Sequence, residues 1–273
     1  HRHLPRVPTR RSADRAAEAY AQCARFAKWR NVLQIDPSKG IPSDLAIEMC
    51  VQNLAQYAAI CQRQGLVPIV EPEIVPNGDH PIEVCAAVTE KVLVAQFAAL
   101  KLHGVYLEGA VLKPNMVKNG LGGTKAPPAI VAEKTVAVLK RTVPPAMPGI
   151  FFLSGETTLD EDNEETATLN LNAMNKLGGL PWSVSFSYGK ALQKTAIVTW
   201  MGKKENVAAA QTALLNRAKA NSEALVINKW FAVQASTFAP DALQRVVHAP
   251  LVGLRAREDG HAHDEAAGDD LDE

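Results

Sequence analysis

Five short apolar runs recur along the chain at intervals of roughly 35–45 residues, and each interval holds a segment with helical periodicity. The runs are Phe26–Val32, Leu66–Val70, the stretch from Val105–Leu107 on to Leu112, Ile150–Leu153 and Ser183–Phe186. A gap of that length leaves room for one crossover helix, and strands joined by crossovers lie parallel. The alternation therefore predicts an α/β fold, a parallel sheet covered by helices. A closed (β/α) barrel needs eight strands. Five or six units fall short of that, and an open five-stranded sheet is the alternative. Periodicity by itself does not choose between them.

The helices are the better-marked elements. Pro42-Ser43-Asp44 opens one, in which Ile47, Val51, Leu54, Ala58 and Cys61 follow a 3.6-residue step until Gly65 stops it. Others are predicted over about 81–102, closed by Gly104, over about 128–141, and over about 205–225. A helix near 160–176 begins with Asp160, Glu161, Asp162, Glu164 and Glu165, acids that suit the positive end of the helix dipole. Arg15–Ala24 also reads as helical.

Charge separates the body from the end. The whole chain balances 29 basic against 29 acidic residues. Residues 255–273 carry eight acids and only Arg255 and Arg257, which leaves residues 1–254 with a net charge of +6. The end reads as a solvated acidic tail, and the mildly basic body tolerates a small anion without calling for nucleic acid. His261 and His263 fall in that tail and make a poor metal site. The cysteines, Cys23, Cys50, Cys61 and Cys85, form no C-x-x-C pair. Their scarcity favours a reducing compartment over a disulfide framework, and a cytoplasmic location is the expectation, with a plastid or other organelle as the alternative. No apolar run approaches the roughly 20 residues of a membrane span. The chain starts without Met and with an arginine-rich segment lacking a signal-like apolar stretch, as expected of a fragment or processed chain.

Polar residues cluster just after the apolar runs. Leu66–Val70 leads into Glu71-Pro72-Glu73, and Leu112 into Lys113-Pro114-Asn115. Proline gives no N–H to a central strand, so the ladder is expected to stop there. That puts Glu71 and Lys113 at the C-terminal ends of neighbouring strands, the edge that carries active sites in α/β folds. Lys28 and Arg30 are two apart on the first strand and share a face. Two cations there need an anion, either a ligand or Glu71 and Glu73 as structural partners. Ser154-Gly155 and Ser187-Tyr188-Gly189-Lys190 end the last two runs, and short turns of this kind offer N–H groups to an anion. His80 and His103, near turns, read as surface histidines.

Several strings are more specific: Phe26-Ala-Lys-Trp-Arg30, Val67-Pro-Ile-Val-Glu-Pro-Glu-Ile74, Tyr106-Leu-Glu-Gly109, Leu112-Lys-Pro-Asn-Met-Val117, Arg141-Thr-Val-Pro-Pro145 and Phe152-Leu-Ser-Gly155. With Leu171-Asn-Ala-Met-Asn175, Phe186-Ser-Tyr-Gly189 and Gly202-Lys-Lys-Glu-Asn206, they make residues 10–224 resemble class I fructose-1,6-bisphosphate aldolase. The resemblance implies a (β/α)8 TIM barrel, present here as about five of its eight units. It implies reversible, metal- and cofactor-free cleavage of a phosphorylated sugar through a lysine Schiff base, and a homotetramer. Lys113 takes the place of the Schiff-base lysine. Glu71 takes that of the proton shuttle, with Glu73 beside it, and Lys28 is the neighbouring cation that favours a nucleophilic amine. Arg30 would hold substrate oxyanions. Ser154, Gly155, Ser187, Gly189 and Lys190 would hold a phosphate.

Departures from the family pattern set the expected segments: an N-terminal segment with a helix (1–24), a partial barrel (25–225) and a divergent acidic tail (226–273). The family's first three strands have no counterpart in the strings, and they carry an acid–base aspartate and a lysine. Lys190 replaces an arginine, and Glu156 a glycine. Weak or absent turnover is therefore the expectation for this chain. A non-catalytic binding protein derived from an aldolase, or a different Schiff-base lyase, are the alternatives.

Overall fold

The computed structural model describes residues 10–154 and 164–225. Along the chain run α1 (Arg10–Ala21), β1 (Phe26–Gln34), α2 (Asp44–Arg63), β2 (Val67–Val75), α3 (Ile82–Leu102), β3 (Val111–Leu112), α4 (Pro128–Thr142), β4 (Gly149–Leu153), α5 (Glu164–Leu177), β5 (Ser183–Ser187), α6 (Lys190–Trp200) and α7 (Val207–Glu223). The expected acidic tail and Gly155 lie outside the described residues, as do Glu156, His261 and His263.

Local sequence explains the helix ends. Ser43 caps α2, its hydroxyl accepting from the Ala46 N–H at 3.2 Å. Asp44 complements the dipole at that end, and Gly65, at φ 76°, takes the left-handed turn that follows. Pro128 sits in the first turn of α4, where a missing N–H costs nothing, and Lys140 and Arg141 in its last.

The five strands form one parallel sheet in the order β1-β2-β3-β4-β5. Register and pleat sort its side chains into two faces. One face carries Trp29, Asn31, Leu33, Val70, Leu112, Ile150, Phe152, Val184 and Phe186. From Leu33 to Phe186 its apolar members are buried. Helix α2 packs against β1 and β2, α3 against β2, and α5 against β5, with α4 between α3 and α5. Each buried Leu, Ile, Val or Phe contributes about 1.5–3 kcal/mol, so this face anchors the fold. On β1 the contact is partly polar: Trp29 Nε1 and Asn31 Nδ2 both donate to Asn53 Oδ1 on α2, at 2.8 and 3.0 Å. That pins the strand with Lys28 and Arg30 turned to the other face. The opposite face carries Lys28, Arg30, Ile69, Glu71, Glu73, Val111, Lys113, Phe151, Leu153, Ser185 and Ser187.

Three expectations need correction. Val105–Leu107 is not part of a strand; Leu107–Gly109 is a single 3-10 turn, and β3 has two residues. The strand expected to end at Glu71 runs on to Val75. Val70 O accepts from the Lys113 N–H at 2.9 Å, so even-numbered backbone groups of β2 point to β3 and odd-numbered ones to β1. The missing donor of Pro72 therefore falls on the β3 side, and pairing with β1 continues from Phe26–Val67 through Gln34–Val75. His80, expected at the surface, is 4% exposed. It lies in the loop after β2, and its carbonyl accepts from the Gly120 N–H at 2.8 Å.

Candidate active site

Midway along β2, and level with the end of β3, two ammonium groups converge on one carboxylate. Glu71, 1% exposed, accepts a hydrogen bond from Lys113 Nζ on Oε1. Lys28 Nζ lies 2.8 Å from the other oxygen, Oε2. Lys113 is itself 7% exposed, whereas the Lys28 side chain is 42% exposed. The arrangement follows from register. Lys113 sits opposite Glu71, because its N–H bonds to Val70 O. Lys28 pairs with Ile69 and reaches diagonally across to Glu71. Arg30 pairs with Glu71 in register and makes the same diagonal step, its Nε donating to Glu73 Oε2. That bond holds the Arg30 guanidinium above its already high ordinary range, so it stays charged.

One buried carboxylate thus faces two ammonium groups through separate oxygens. A carboxylate so placed can take a proton from one amine and return it to a group bound beside that amine. Lys113 is the amine in the dry position, and Lys28 the one that opens to solvent. Glu71 and Glu73 do pair with Lys28 and Arg30, as the structural alternative held, but Glu71 binds Lys113 as well.

The second group of expected residues gathers at the ends of β4 and β5. Ser154 is buried; its Oγ accepts from the Gly189 N–H at 2.8 Å and its carbonyl from the Ala191 N–H at 2.9 Å. These bonds fasten the start of α6, with Gly189 as N-cap and Lys190 as first residue, to the end of β4. Ser187 ends β5 opposite Leu153, half-buried, on the face that carries Lys113. Strands β3 and β5 are two spacings apart, about 10 Å. From the other side, Arg217 Nε and Asn221 Nδ2 on α7 donate to Ala191 O at 2.9 and 3.0 Å.

Sequence reasoning passed over Asn115 as a site residue. Its Oδ1 accepts from the Ile74 N–H at 2.7 Å. The signal was present in the Lys113-Pro114-Asn115 string, but only the register shows which strand the amide meets. Among the described residues no cluster of His, Cys, Asp or Glu could hold a metal ion, and no helix is long and apolar enough to cross a membrane. All four cysteines are free; Cys50, Cys61 and Cys85 are buried, and burial pushes the Cys50 thiol up to about 12.

A parallel sheet with helices packed on one face and a buried lysine–carboxylate pair on the other defines a βα-type scaffold. The model of the family described as fructose-bisphosphate aldolase class-I matches residues 11–245, and the chain belongs to that family. It is 56% identical over 211 residues to fructose-bisphosphate aldolase 2 of Plasmodium berghei (strain Anka), covering 77% of this chain and 56% of that one. The cytosolic fructose-bisphosphate aldolase 5 of Arabidopsis thaliana is 55% identical over 211 residues, covering 77% and 57%. Among solved structures, fructose-bisphosphate aldolase from Plasmodium falciparum, crystallised with TRAP and a small-molecule inhibitor, superposes with a TM-score of 0.74. That match is 55% identical and covers 78% of this chain and 60% of the other. The chain thus spans little more than half the length of these relatives, and the described strands are five units of an incomplete TIM-type barrel.

Proposed function

We propose that this chain performs the class I aldolase reaction chemistry, with Lys113 as the imine-forming amine. The observation that carries the reading is the buried Lys113 amine hydrogen-bonded to the buried Glu71 carboxylate, on the sheet face away from the helices, in a member of this family. The substrate is fructose 1,6-bisphosphate, and the products are dihydroxyacetone phosphate and glyceraldehyde 3-phosphate. The Lys113 lone pair adds to the C2 carbonyl once its proton has passed to Glu71. Glu71 returns a proton to the carbinolamine hydroxyl, which leaves as water, and a protonated imine remains. The C3–C4 bond then breaks. Its electron pair moves into the imine as an enamine, C4 becomes the aldehyde, and the C4 hydroxyl gives up its proton to a base. Protonation at C3 and addition of water release the ketose and restore the amine.

The remaining residues have positions that suit this reading. Lys28 and Arg30 lie on the same face as Lys113 and would attract substrate oxyanions. Ser154, Ser187, Gly189 and Lys190 stand together at the ends of β4 and β5, where a phosphate would sit. Gly155 belongs to the same proposal by sequence. The cytosolic relative supports a cytoplasmic location. The family resemblance supports a homotetramer, which light scattering checks.

The test uses the step that needs only Lys113 and its neighbours. β1 and β5 each pair on one side only among the described residues, so full turnover is the more demanding assay. The chain is incubated with dihydroxyacetone phosphate, reduced with borohydride and mapped by mass spectrometry. A secondary-amine adduct on Lys113 is expected. An adduct confined to another lysine refutes the site assignment, and no adduct at all leaves the non-catalytic reading.

A further inference from the structure

The backbone ladder between β2 and β3 stops at the residue proposed to react. In a parallel pair, a residue whose N–H bonds to one neighbour has its carbonyl bonded by the N–H two residues further along that neighbour. Lys113 donates to Val70 O, so its carbonyl falls to residue 72, and Pro72 has no N–H. On the other flank Leu112 pairs with Ile150, which points residue 114 at β4 as well, and Pro114 again has no N–H. The two prolines end the β3 ladder on both sides just after Leu112. Lys113 is therefore the last residue that the backbone fastens to β2, held through its N–H alone, although its amine must stay against Glu71.

The rung level with the carboxylates comes from a side chain. Ile74 is the next β2 residue after Pro72 whose N–H faces β3, and Asn115 Oδ1 accepts that N–H at 2.7 Å. Asn115 is 7% exposed, so the bond is shielded from competing water. It ties the residue next to Glu73 to the residue two beyond Lys113. Further out, backbone bonds resume between the two loops: Leu121 N–H to Pro76 O at 2.9 Å and Gly122 N–H to Gly78 O at 2.8 Å. The side-chain rung spans the interval between the last strand bond and these loop bonds.

We propose that Asn115 is a positioning residue for imine formation: its carboxamide oxygen replaces the backbone rung removed by Pro72 and holds the Lys113 amine in register with Glu71. The claim rests on the aldolase reading of the same site and adds a residue to it. Asn115 acts through the backbone, so it governs the rate at which a bound ketose becomes an imine, not how tightly the ketose is held.

The experiment compares the 273-residue chain with Asn115→Leu, of similar size but without an acceptor, and Asn115→Asp, which keeps one. Borohydride trapping of dihydroxyacetone phosphate on Lys113 is followed as a function of ketose concentration and scaled to the folded fraction. In Asn115→Leu the maximal trapping rate falls about tenfold while the half-saturating concentration stays within about twofold. In Asn115→Asp the rate returns to within about threefold of the unsubstituted chain. A wild-type rate in Asn115→Leu, a parallel loss of rate and binding, or failure of Asn115→Asp to recover overturns the proposal. If the leucine variant does not fold, hydrogen exchange of the Ile74 amide in the unsubstituted chain decides: slow exchange supports the rung, and exchange at the free-peptide rate overturns it. Absence of any Lys113 adduct in the unsubstituted chain defeats the aldolase reading instead. Acetic anhydride labelling then judges the positioning claim separately. Labelling of Lys113 relative to exposed Lys101 should rise at least about threefold in Asn115→Leu, and an unchanged ratio overturns it.

Discussion

Replacing Glu71 by glutamine changes one oxygen and one charge at the point where the site is driest. The carboxylate is 1% exposed, accepts a hydrogen bond from Lys113, whose side chain is 9% exposed, and is ion-paired with Lys28, whose side chain is 42% exposed. Removing one member of a buried ion pair costs about 3–5 kcal/mol, because the other charge is left uncompensated. The Lys28 half of the triad is open to water and adds little to that figure. Glutamine keeps an acceptor for Lys113, so the expected loss is near the lower bound, about 3 kcal/mol. With a urea slope of roughly 2–3 kcal/mol/M, the unfolding midpoint should fall by about 1–1.5 M. Glu73→Gln is the internal comparison. Its partner Arg30 has a side chain 47% exposed and can return to solvent, so the loss there should be below about 1 kcal/mol. Glu71→Gln also removes the proton carrier, and trapping of dihydroxyacetone phosphate on Lys113 should slow by about 10²–10⁴-fold per folded molecule. Urea titration and borohydride trapping on the same samples separate the two effects. Equal stability losses at positions 71 and 73 would show that burial of the Lys113–Glu71 pair does not govern the energetics. Unchanged trapping in Glu71→Gln would remove Glu71 from the chemistry.

Two further outcomes follow from the loops beside the site. A Cβ added at Gly120 would lie 2.4 Å from Gly78 O and 2.9 Å from the His80 backbone nitrogen, contacts that only backbone movement can relieve. Gly120→Ala should therefore cost about 3 kcal/mol and lower the melting temperature by roughly 6–12 °C; a melting curve that does not move would refute the close approach. Burial holds the His80 imidazole below its ordinary value of 6.5, with Asp79 opposing the shift. As pH falls through about 6.5 the unfolded chain takes up this proton before the folded chain does, so the stability His80 contributes is present above that pH and lost below it. His80→Asn should flatten the fall in melting temperature between about pH 7 and 5.5, and identical slopes in the two proteins would refute the assignment.

What the sequence made legible here depended on features that are local in the chain. Helix α2 could be placed from its Ser43 cap, its apolar step and Gly65, because each acts within a turn of itself. Lys113 could be placed at a strand end because proline punctuates a strand by what it lacks, whereas Glu71, placed at an end by the same rule, lies midway along β2. The same prolines misled the reading of β2's length, since a missing N–H interrupts only the side it faces, and the facing side is a property of register. His80 shows the same limit: a histidine two residues past a glycine reads as a surface turn, and its backbone contact with Gly120, forty residues on, is not visible in the sequence. Asn115 combines both cases. Its position beside Lys113-Pro114 was visible, and its partner Ile74 was not, because the bond crosses between strands separated by a 21-residue helix. The pairing of Lys113 with Glu71 is of that second kind too. Composition and motif place a lysine and a carboxylate on one edge, but that they share a proton-bearing contact depends on β2 and β3 standing one step out of the alternative register. A one-residue slip would turn Lys113 into the apolar layer beside Val70 and Ile150, where its charge would have no partner. The core therefore specifies the site: the apolar face that buries Val70, Leu112 and Ile150 is what turns Glu71 and Lys113 toward each other on the reverse side.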